Sequence, residues 1–164
     1  SSYDLAESRV VKLQQKPDMV IESWSQLRSI AISPDSSRKS RVLISVDKPP
    51  SITADLNDFI PKNSKIAVLE SSPYVRVKQI ELSKRLSQKL GTVEPDIFEY
   101  DSCAQTLGYI CESSMIVTDR LHVGLCGVLS GIPTIILAST EKLLRFENYF
   151  EDPSNLKMVK IIEC

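Results

Sequence analysis

Strand-like and helix-like segments alternate along this chain from about residue 41 to its end, and this alternation restricts the fold more than any other feature. Short β-rich runs at 41–46, 65–70, 97–100, 115–117 and 134–137 are separated by segments with apolar residues at helical spacing. A strand, a helix and a second strand in succession form a βαβ unit, whose strands are parallel. The sequence therefore predicts an α/β domain with a Rossmann-like parallel sheet and helices on both of its faces.

Caps, prolines and glycines mark where the helices are expected to begin and end. Pro73 suits the first turn of a helix that we expect to end at Leu90, before Gly91. Asp101 or Ser102 is expected to cap a later helix. Further helices are expected from Thr53 to Ile60, after Asp119, and from Glu141 to Phe150, with a last strand or tail at 158–162.

Residues 1–40 fit the alternation less well. We interpret them as an accessory segment or the remnant of a preceding domain, followed by the Rossmann-like domain at 41–164. Residues 4–15 can form one helix, residues 18–22 a short strand, and the serine-rich stretch 33–40 a loop. The chain begins with Ser-Ser-Tyr and lacks a signal-peptide pattern, so we interpret it as a piece of a longer protein. Trp24 is expected to pack this segment onto the domain rather than to stack on a sugar.

The composition of the chain argues against several classes of function. A net charge of −1 with scattered lysines and arginines predicts no nucleic-acid partner. No run of about 18 apolar residues is present, so no transmembrane segment is expected. The four cysteines include no C-x-x-C pair and the chain has one histidine, which argues against zinc. Cys103, Cys111 and Cys126 are instead expected to be reduced core thiols on apolar helix faces.

The residues most informative about function lie where the fourth strand meets its helix, in Thr118-Asp119-Arg120-Leu121-His122. A helix N-terminus offers free backbone N–H groups and about half a positive charge. An arginine there can hold a carboxylate or phosphate through two parallel hydrogen bonds. A histidine can bind an anion or pass a proton near neutral pH. Since ligands bind beyond the carboxyl ends of parallel strands, this junction predicts an anion site.

A purely structural role for the same residues is the open alternative. Asp119 can be an ordinary helix N-cap, and Arg120 can pair with Asp119 or Glu112. Other polar residues are expected at the same edge of the sheet, but they are weaker candidates: Ser45, Asp47, Ser71, Ser72, Asp101, Ser102, Ser139 and Thr140. The four at 71, 72, 101 and 102 are expected to be helix caps first, and Asp47 to face water.

The segment 115–122 and the fifteen or so residues after it resemble the signature of the polysaccharide pyruvyl transferase family. That signature is a hydrophobic strand, Ser/Thr-x-Arg-Leu-His, a small-residue helix, Gly-x-Pro and a buried strand. Here the helix carries glycines at 124, 127 and 131, and Ile132-Pro133-Thr134-Ile135 comes next. The glycines are expected to let the helix backbone lie close to a neighbour. The resemblance implies that the domain corresponds to the C-terminal domain, one half, of a fold like the two-domain GT-B glycosyltransferases.

The resemblance also implies an activity, the transfer of the enolpyruvyl group of phosphoenolpyruvate to two hydroxyls of a sugar. The products are a pyruvate ketal, on a cell-surface polysaccharide, and free phosphate. Arg120 and the Leu121 backbone would bind the donor anion, and His122 would bind its phosphate, donate the proton, or both. The other residues expected to bind substrate are Asp119, Ser139 and Lys142, the last resembling a lysine often found there in the family. No metal or nicotinamide cofactor is implied.

Two other interpretations of the chain stay open. A GT-B glycosyltransferase domain would bind a nucleotide sugar at the same edge, although residues 124–128 supply no glutamate for a ribose. A non-catalytic module would keep the fold for glycan assembly. The resemblance further implies a preceding domain that forms the other wall of the cleft, so this chain alone is expected to bind the donor weakly and to be inactive. The expected compartment is the cytoplasm in a bacterium and the Golgi lumen in a eukaryote.

Overall fold

The structure, a computed structural model, describes residues 18–48, 54–70 and 73–164. In this part of the chain six strands form one sheet: β1 (Val42–Ser45), β2 (Ile66–Leu69), β3 (Asp96–Phe98), β4 (Met115–Thr118), β5 (Thr134–Ala138) and β6 (Val159–Glu163). The strand order is β3-β2-β1-β4-β5-β6, and every neighbouring pair is parallel. The predicted Rossmann-like parallel sheet is confirmed, and all carboxyl ends of the strands meet at one edge.

Five of the described helices lie between successive strands, as expected, but the one expected to reach Ile60 ends at Asn57. The helices are α1 (Met19–Glu22), α2 (Trp24–Ile30), α3 (Ala54–Asn57), α4 (Pro73–Leu90), α5 (Cys103–Cys111), α6 (Leu121–Leu129) and α7 (Glu141–Leu144). The bounds of α4 match the prediction, and Gly91 follows it with a left-handed φ of 68°. Ser102 caps α5, since its side chain accepts a hydrogen bond from the Gln105 N–H. The cap expected at Thr53 lies outside the described residues.

Helices cover both faces of the sheet, as predicted. On one face, the buried side of α4 packs against alternate residues of the central strands, including Val42 and Ile44. On the other face, α5 and α6 pack against the strand residues that alternate with the first set, such as Leu43 and Ile116. Successive side chains of a strand point to opposite faces, so a fully buried strand is apolar throughout. This explains the unbroken apolar runs in β1, β2 and β5.

The glycines of α6 place that helix close to the sheet. A Cβ atom on Gly124 would lie 2.6 Å from Cδ1 of Ile136, and one on Gly127 would lie 2.6 Å from Cδ1 of Ile116. The expected close approach is therefore confirmed at these two positions. It is wrong for Gly131, where a Cβ atom would meet nothing within 4 Å and the residue instead has a left-handed φ of 72°. Gly131 makes the turn between α6 and β5.

Several local expectations were wrong. Residues 18–22 are helical rather than a strand, because the Asp18 side chain caps α1 and Val20 packs onto the core beside Trp24. Trp24 does pack this segment onto the domain. The helix expected at 141–150 ends at Leu144 and gives way to a 3-10 turn at Phe146–Tyr149. Residues 4–15 lie outside the described part of the chain.

The cysteines differ in their environments. Cys126 is buried and Cys111 is half-buried, but Cys103 is exposed, so the expectation of a core thiol is wrong at Cys103. Cys103 is the first residue of α5, and its side chain is exposed there rather than packed in the core. Within the described ranges, no helix is long and apolar enough to cross a lipid bilayer.

Candidate functional site

The predicted site lies at the point where the strand order reverses. β1 pairs with β2 on one side and with β4 on the other, so the chain leaves β1 in one direction and returns at β4. In open parallel sheets, ligands bind in the crevice beyond the carboxyl ends of the strands at this switch point. Asp47 follows β1 there, and Asp119 and Arg120 follow β4.

Two side chains at the end of β4 connect it to the end of β1. The Thr118 hydroxyl donates to the Ser45 carbonyl oxygen over 2.6 Å. The Asp119 carboxylate accepts the backbone N–H groups of Asp47 and Lys48, each over 2.8 Å. The expectation that Asp119 is the N-cap of α6 is therefore wrong, because both of its oxygens are used on the β1 loop. Asp119 instead fixes that loop at the switch point.

The first turn of α6 lacks a side-chain cap. Arg120 occupies the N-cap position, and its guanidinium, which carries only donors, cannot cap the N–H groups of the helix. The helices α1, α5 and α7 are capped by the side chains of Asp18, Ser102 and Thr140, whereas α2, like α6, has no side-chain cap. The N–H groups at the start of an α-helix have no partner within the helix. The N-terminus of α6 therefore has the donors and the dipole that suit an anion.

The Arg120 guanidinium lies over the end of β1. Its Nη1 is 3.5 Å from the Ser45 hydroxyl, and its Nε is 3.9 Å from a carboxylate oxygen of Asp47. The Arg120 and Asp47 side chains are 38% and 50% exposed, so water screens this long ion pair and it adds little stability. The alternative pairing of Arg120 with Asp119 or Glu112 is not the one observed. A ligand anion can therefore take the place of Asp47 at little cost.

His122 contacts a different carboxylate. Its Nε2 lies 3.3 Å from an oxygen of Asp18, the same residue whose other oxygen caps α1. The imidazole is 65% exposed and the Asp18 side chain 16%, so the ring extends from a fixed carboxylate into solvent. In the described part of the chain Arg120 and His122 share no partner. Their joint action on one ligand therefore stays a prediction.

The remaining predicted site residues lie past β5. Ser139 and Lys142 are both exposed at the same edge of the sheet, and Lys142 has no ion-pair partner among the described residues. Thr140 caps α7 through its hydroxyl, which accepts the Leu143 N–H over 3.3 Å. The structure thus places Ser139 and Lys142 at the expected edge without joining them to Arg120. Their part in substrate binding stays a prediction.

Three features of this edge were not predicted. Arg76, near the start of α4, pairs with Glu70 after β2 over 2.9 Å and faces Glu99 after β3 over 3.9 Å. The buried Gln79 side chain accepts the Val46 N–H over 3.1 Å and so holds the chain just past β1. Burial, and then the nearby Asp119 carboxylate, raise the pKa of the Cys164 thiol.

For the ion pairs of Arg76, the one signal in the sequence was the acidic residue that directly follows each of the strands β2 and β3. Ser71 and Ser72 lie outside the described residues.

A metal site is not formed by the part of the chain that the structure describes, where no group of three or more His, Cys, Asp or Glu side chains is arranged to hold an ion. Besides its carboxylates, which pair within the chain, the described edge offers guanidinium, ammonium, imidazole and backbone N–H groups. Such groups bind carboxylates and phosphates.

Comparison with solved structures gives E. coli heptosyltransferase WaaC with ADP-2-deoxy-2-fluoro heptose as one similar chain, at a TM-score of 0.46 and 12% sequence identity. The match covers 79% of the present chain and 38% of the heptosyltransferase chain. No curated protein matches this sequence. The family model described as polysaccharide pyruvyl transferase matches residues 1–141, which is most of the 164 residues. The chain therefore belongs to the polysaccharide pyruvyl transferase family.

Proposed function

We propose that this chain binds the donor in a transferase that moves a pyruvyl group from phosphoenolpyruvate to a sugar of a cell-surface polysaccharide. One observation carries the proposal: the N-terminus of α6 has no side-chain cap and lies at the switch point beside the Arg120 guanidinium. Family membership over residues 1–141 agrees with it. The proposed donor is a small molecule with a carboxylate and a phosphate. Both are anionic groups that bind well at the N-terminus of a helix.

Arg120 and the α6 backbone are proposed to hold the donor. The guanidinium exchanges the distant Asp47 oxygen for the donor carboxylate or phosphate, which it binds through two parallel hydrogen bonds. The Leu121 N–H, in the first turn of α6, supplies a further donor. Asp119 keeps the β1 loop in place, so Asp47 stays beside the ligand and can accept a hydrogen bond from an acceptor hydroxyl.

The proposed reaction consumes one donor and one sugar diol. A proton adds to the CH₂ carbon of the enol, which becomes the methyl group and leaves an oxocarbenium-like centre at C2. Two sugar hydroxyls form C–O bonds to C2 and lose their protons, while the C2–O bond to phosphate breaks. One released proton balances the one taken up by carbon, and the other goes to phosphate or solvent. Arg120 and the α6 N-terminus stabilise the charge that builds on the leaving phosphate.

His122 is the proposed proton donor or phosphate ligand. Asp18 lies beside Nε2 and fixes the ring, which leaves Nδ1 to contact the donor. A histidine can hold or release a proton near neutral pH, which this step needs. In this arrangement Asp18 is a positioning residue, because it acts through the imidazole.

A thermal-shift experiment tests the proposed donor. Phosphoenolpyruvate should raise the Tm of the chain, because a ligand at 100 times its Kd stabilises the folded state by about 2.7 kcal/mol. The shift should be lost in Arg120→Ala and kept in Arg145→Ala, which removes an exposed arginine paired only with Glu141 among the described residues. Stabilisation by UDP- or GDP-sugars but not by phosphoenolpyruvate would favour a nucleotide-sugar site instead. No shift with either ligand would favour the non-catalytic module.

A further inference from the structure

The opposite edge of the sheet, where the strands begin, holds a polar cavity. It has a volume of about 460 Å³ and lies between the residues that precede three neighbouring strands: Arg41 before β1, Lys65 before β2 and Ser114 before β4. Small-molecule sites have volumes of roughly 300–1,000 Å³, so the cavity can hold a sugar-sized ligand. Since it lies at the amino ends of the strands, it is separate from the Arg120 site at their carboxyl ends.

The residues that line this cavity indicate the charge and the chemical class of a ligand that would bind there. Three of its lining side chains are the cations Lys39, Arg41 and Lys65, and none of the lining residues is acidic. The others are five serines and Asn63. We propose that this cavity binds a sugar-sized, polyhydroxylated anion. Its phosphate or carboxylate meets the cations, and its hydroxyl groups meet the serine hydroxyls and the Asn63 amide.

Arg41 gives the strongest support. Its side chain is 13% exposed, and its Nη2 lies 2.7 Å from the Ser37 carbonyl oxygen and 3.1 Å from an Asp96 oxygen. The Nε atom, by contrast, is buried and has no hydrogen-bond partner among the described residues. An unpaired buried N–H of a charged group is costly, so such a group ordinarily has a partner. An anion that draws the Arg41 guanidinium toward the cavity would supply one.

The two lysines add charge that the protein itself does not neutralise. Lys39 and Lys65 are exposed at the cavity and have no ion-pair partner within the part of the chain that the structure describes. Asp96, paired with Arg41, and Asp35, which accepts the Ser37 hydroxyl, reduce the positive charge of this region. With three cations and these two carboxylates, the region keeps a small positive balance suited to an anion.

The walls of the cavity are formed by a backbone that is already ordered. Ser40 and Asn63 have φ angles of 57° and 65°, in the left-handed region that residues other than glycine rarely adopt. The Ser40 N–H donates to the Glu112 carbonyl oxygen, and the Asn63 N–H donates to that of Leu90. These bonds hold both turns against the helices, so the backbone of the walls is formed before a ligand binds, and the ordering cost falls on the two exposed lysine side chains.

Calorimetric titration of the 164-residue chain tests this proposal at fixed ionic strength. The probes are glucose 6-phosphate, glucuronate, glucose and inorganic phosphate. We expect glucose 6-phosphate or glucuronate to bind, the tighter of the two showing whether the anionic group is a phosphate or a carboxylate. Glucose should not bind, and inorganic phosphate should bind at least about tenfold more weakly, because it lacks the hydroxyl contacts. Phosphate binding as tightly as the sugar anions overturns the assignment of a sugar ligand.

Matched variants locate the binding. Lys39→Ala and Lys65→Ala should each weaken binding of the sugar anion by roughly tenfold, the value of one charge-assisted contact. Lys84→Ala, an exposed lysine of α4, is the control and should change nothing. Arg120→Ala should also leave this binding intact, which separates the result from the proposed donor site. Unchanged affinity in both lysine variants, or no binding of either sugar anion at millimolar concentration, overturns the proposal.

Discussion

Asp119 accepts a hydrogen bond from the backbone N–H of Asp47 over 2.8 Å, and this bond ties the end of β4 to the end of β1. The second Asp119 oxygen takes the neighbouring N–H of Lys48. The two strands meet where the strand order reverses, so this carboxylate shapes the crevice in which the donor is proposed to bind. The two hydrogen bonds of Asp119 thus hold the loop after β1 instead of capping the helix after β4, and the part of Asp119 in substrate binding stays a prediction.

Removing the Asp119 carboxylate should loosen the β1 loop. Asp119→Ala leaves two backbone N–H groups without their acceptor and should lower the free energy of unfolding by about 1–2 kcal/mol. Asp119→Asn keeps one acceptor oxygen and should cost roughly half as much. Urea denaturation measures both changes, and hydrogen exchange at residues 47 and 48 should accelerate in the alanine variant. Unchanged exchange at these two amides would show that the loop is held by other contacts.

His122→Ala should abolish pyruvyl transfer while leaving the fold intact. The imidazole is mostly exposed, so the loss of its contact with Asp18 should change the free energy of unfolding by less than about 1 kcal/mol. Circular dichroism and urea denaturation test whether the variant folds. Release of phosphate from phosphoenolpyruvate in the presence of an acceptor glycan measures transfer, and this assay needs a catalytically active form of the protein. Asp18→Asn should reduce transfer less, because it disturbs only the ring orientation. Full activity in His122→Ala would remove this residue from the mechanism.

Gly127→Ala should destabilise the domain and displace α6. The new Cβ would lie 2.6 Å from Cδ1 of Ile116 and 2.8 Å from the Thr134 hydroxyl oxygen. Ile116 is fully buried and the Thr134 hydroxyl donates to the Ile132 carbonyl oxygen, so neither yields easily. Overpacking costs about 1–3 kcal/mol, whereas alanine gains about 1 kcal/mol in helix propensity. We expect a net loss of up to about 2 kcal/mol in urea denaturation, with Ser130→Ala at the end of the same helix as a near-neutral control. A stabilised Gly127→Ala would contradict the close packing.

Cys126 should make the stability of the protein depend on pH in the alkaline range. Burial, and then the neighbouring Cys111 thiol, raise the pKa of Cys126 to about 12 from an ordinary value of 9.0. Below about pH 9 the thiol is protonated in both the folded and the unfolded state, so it has no effect there. Between about pH 9 and 12 only the unfolded state releases the proton, and stability falls by up to about 1.4 kcal/mol per pH unit.

The Cys126→Ala variant isolates this contribution. Its free energy of unfolding should fall less steeply above about pH 9 than that of the wild type, although the variant is less stable at neutral pH. In the wild type at about pH 8, a thiol reagent should modify the exposed Cys103 well before Cys126. Equal slopes for the two proteins, or early modification of Cys126, would contradict its burial.

The fold followed from the sequence because its main signals are local. Residues close together in the sequence determine the apolar runs of β1, β2 and β5 and the bounds of α4. The alternation of such segments predicts a parallel sheet. The short segment at 18–22 was misassigned because its run of apolar and β-branched residues fits either structure. Its helical form depends on the Asp18 cap and on packing of Val20 against a core built from distant residues.

The site followed only in part, because its contacts join residues far apart in the sequence. The position of Arg120 at the ligand edge could be inferred from the strand that precedes it. The hydrogen bonds from Asp47 and Lys48 to Asp119 span more than 70 residues, and the contact of His122 with Asp18 spans 104. Such pairings depend on how the strand order brings β1 beside β4, which no local pattern specifies.

The amide signals of α6 give the most direct test of the central claim, that the first turn of this helix and Arg120 bind the donor anion. Phosphoenolpyruvate would be titrated into ¹⁵N-labelled protein while backbone amide and arginine Nε signals are followed. We expect shifts at the amides of Leu121 and His122 and at Arg120 Nε, and an affinity at least about tenfold weaker in Arg120→Ala because a charge-assisted contact is lost. Shifts confined to other parts of the chain, or an undiminished affinity in the variant, would contradict this claim.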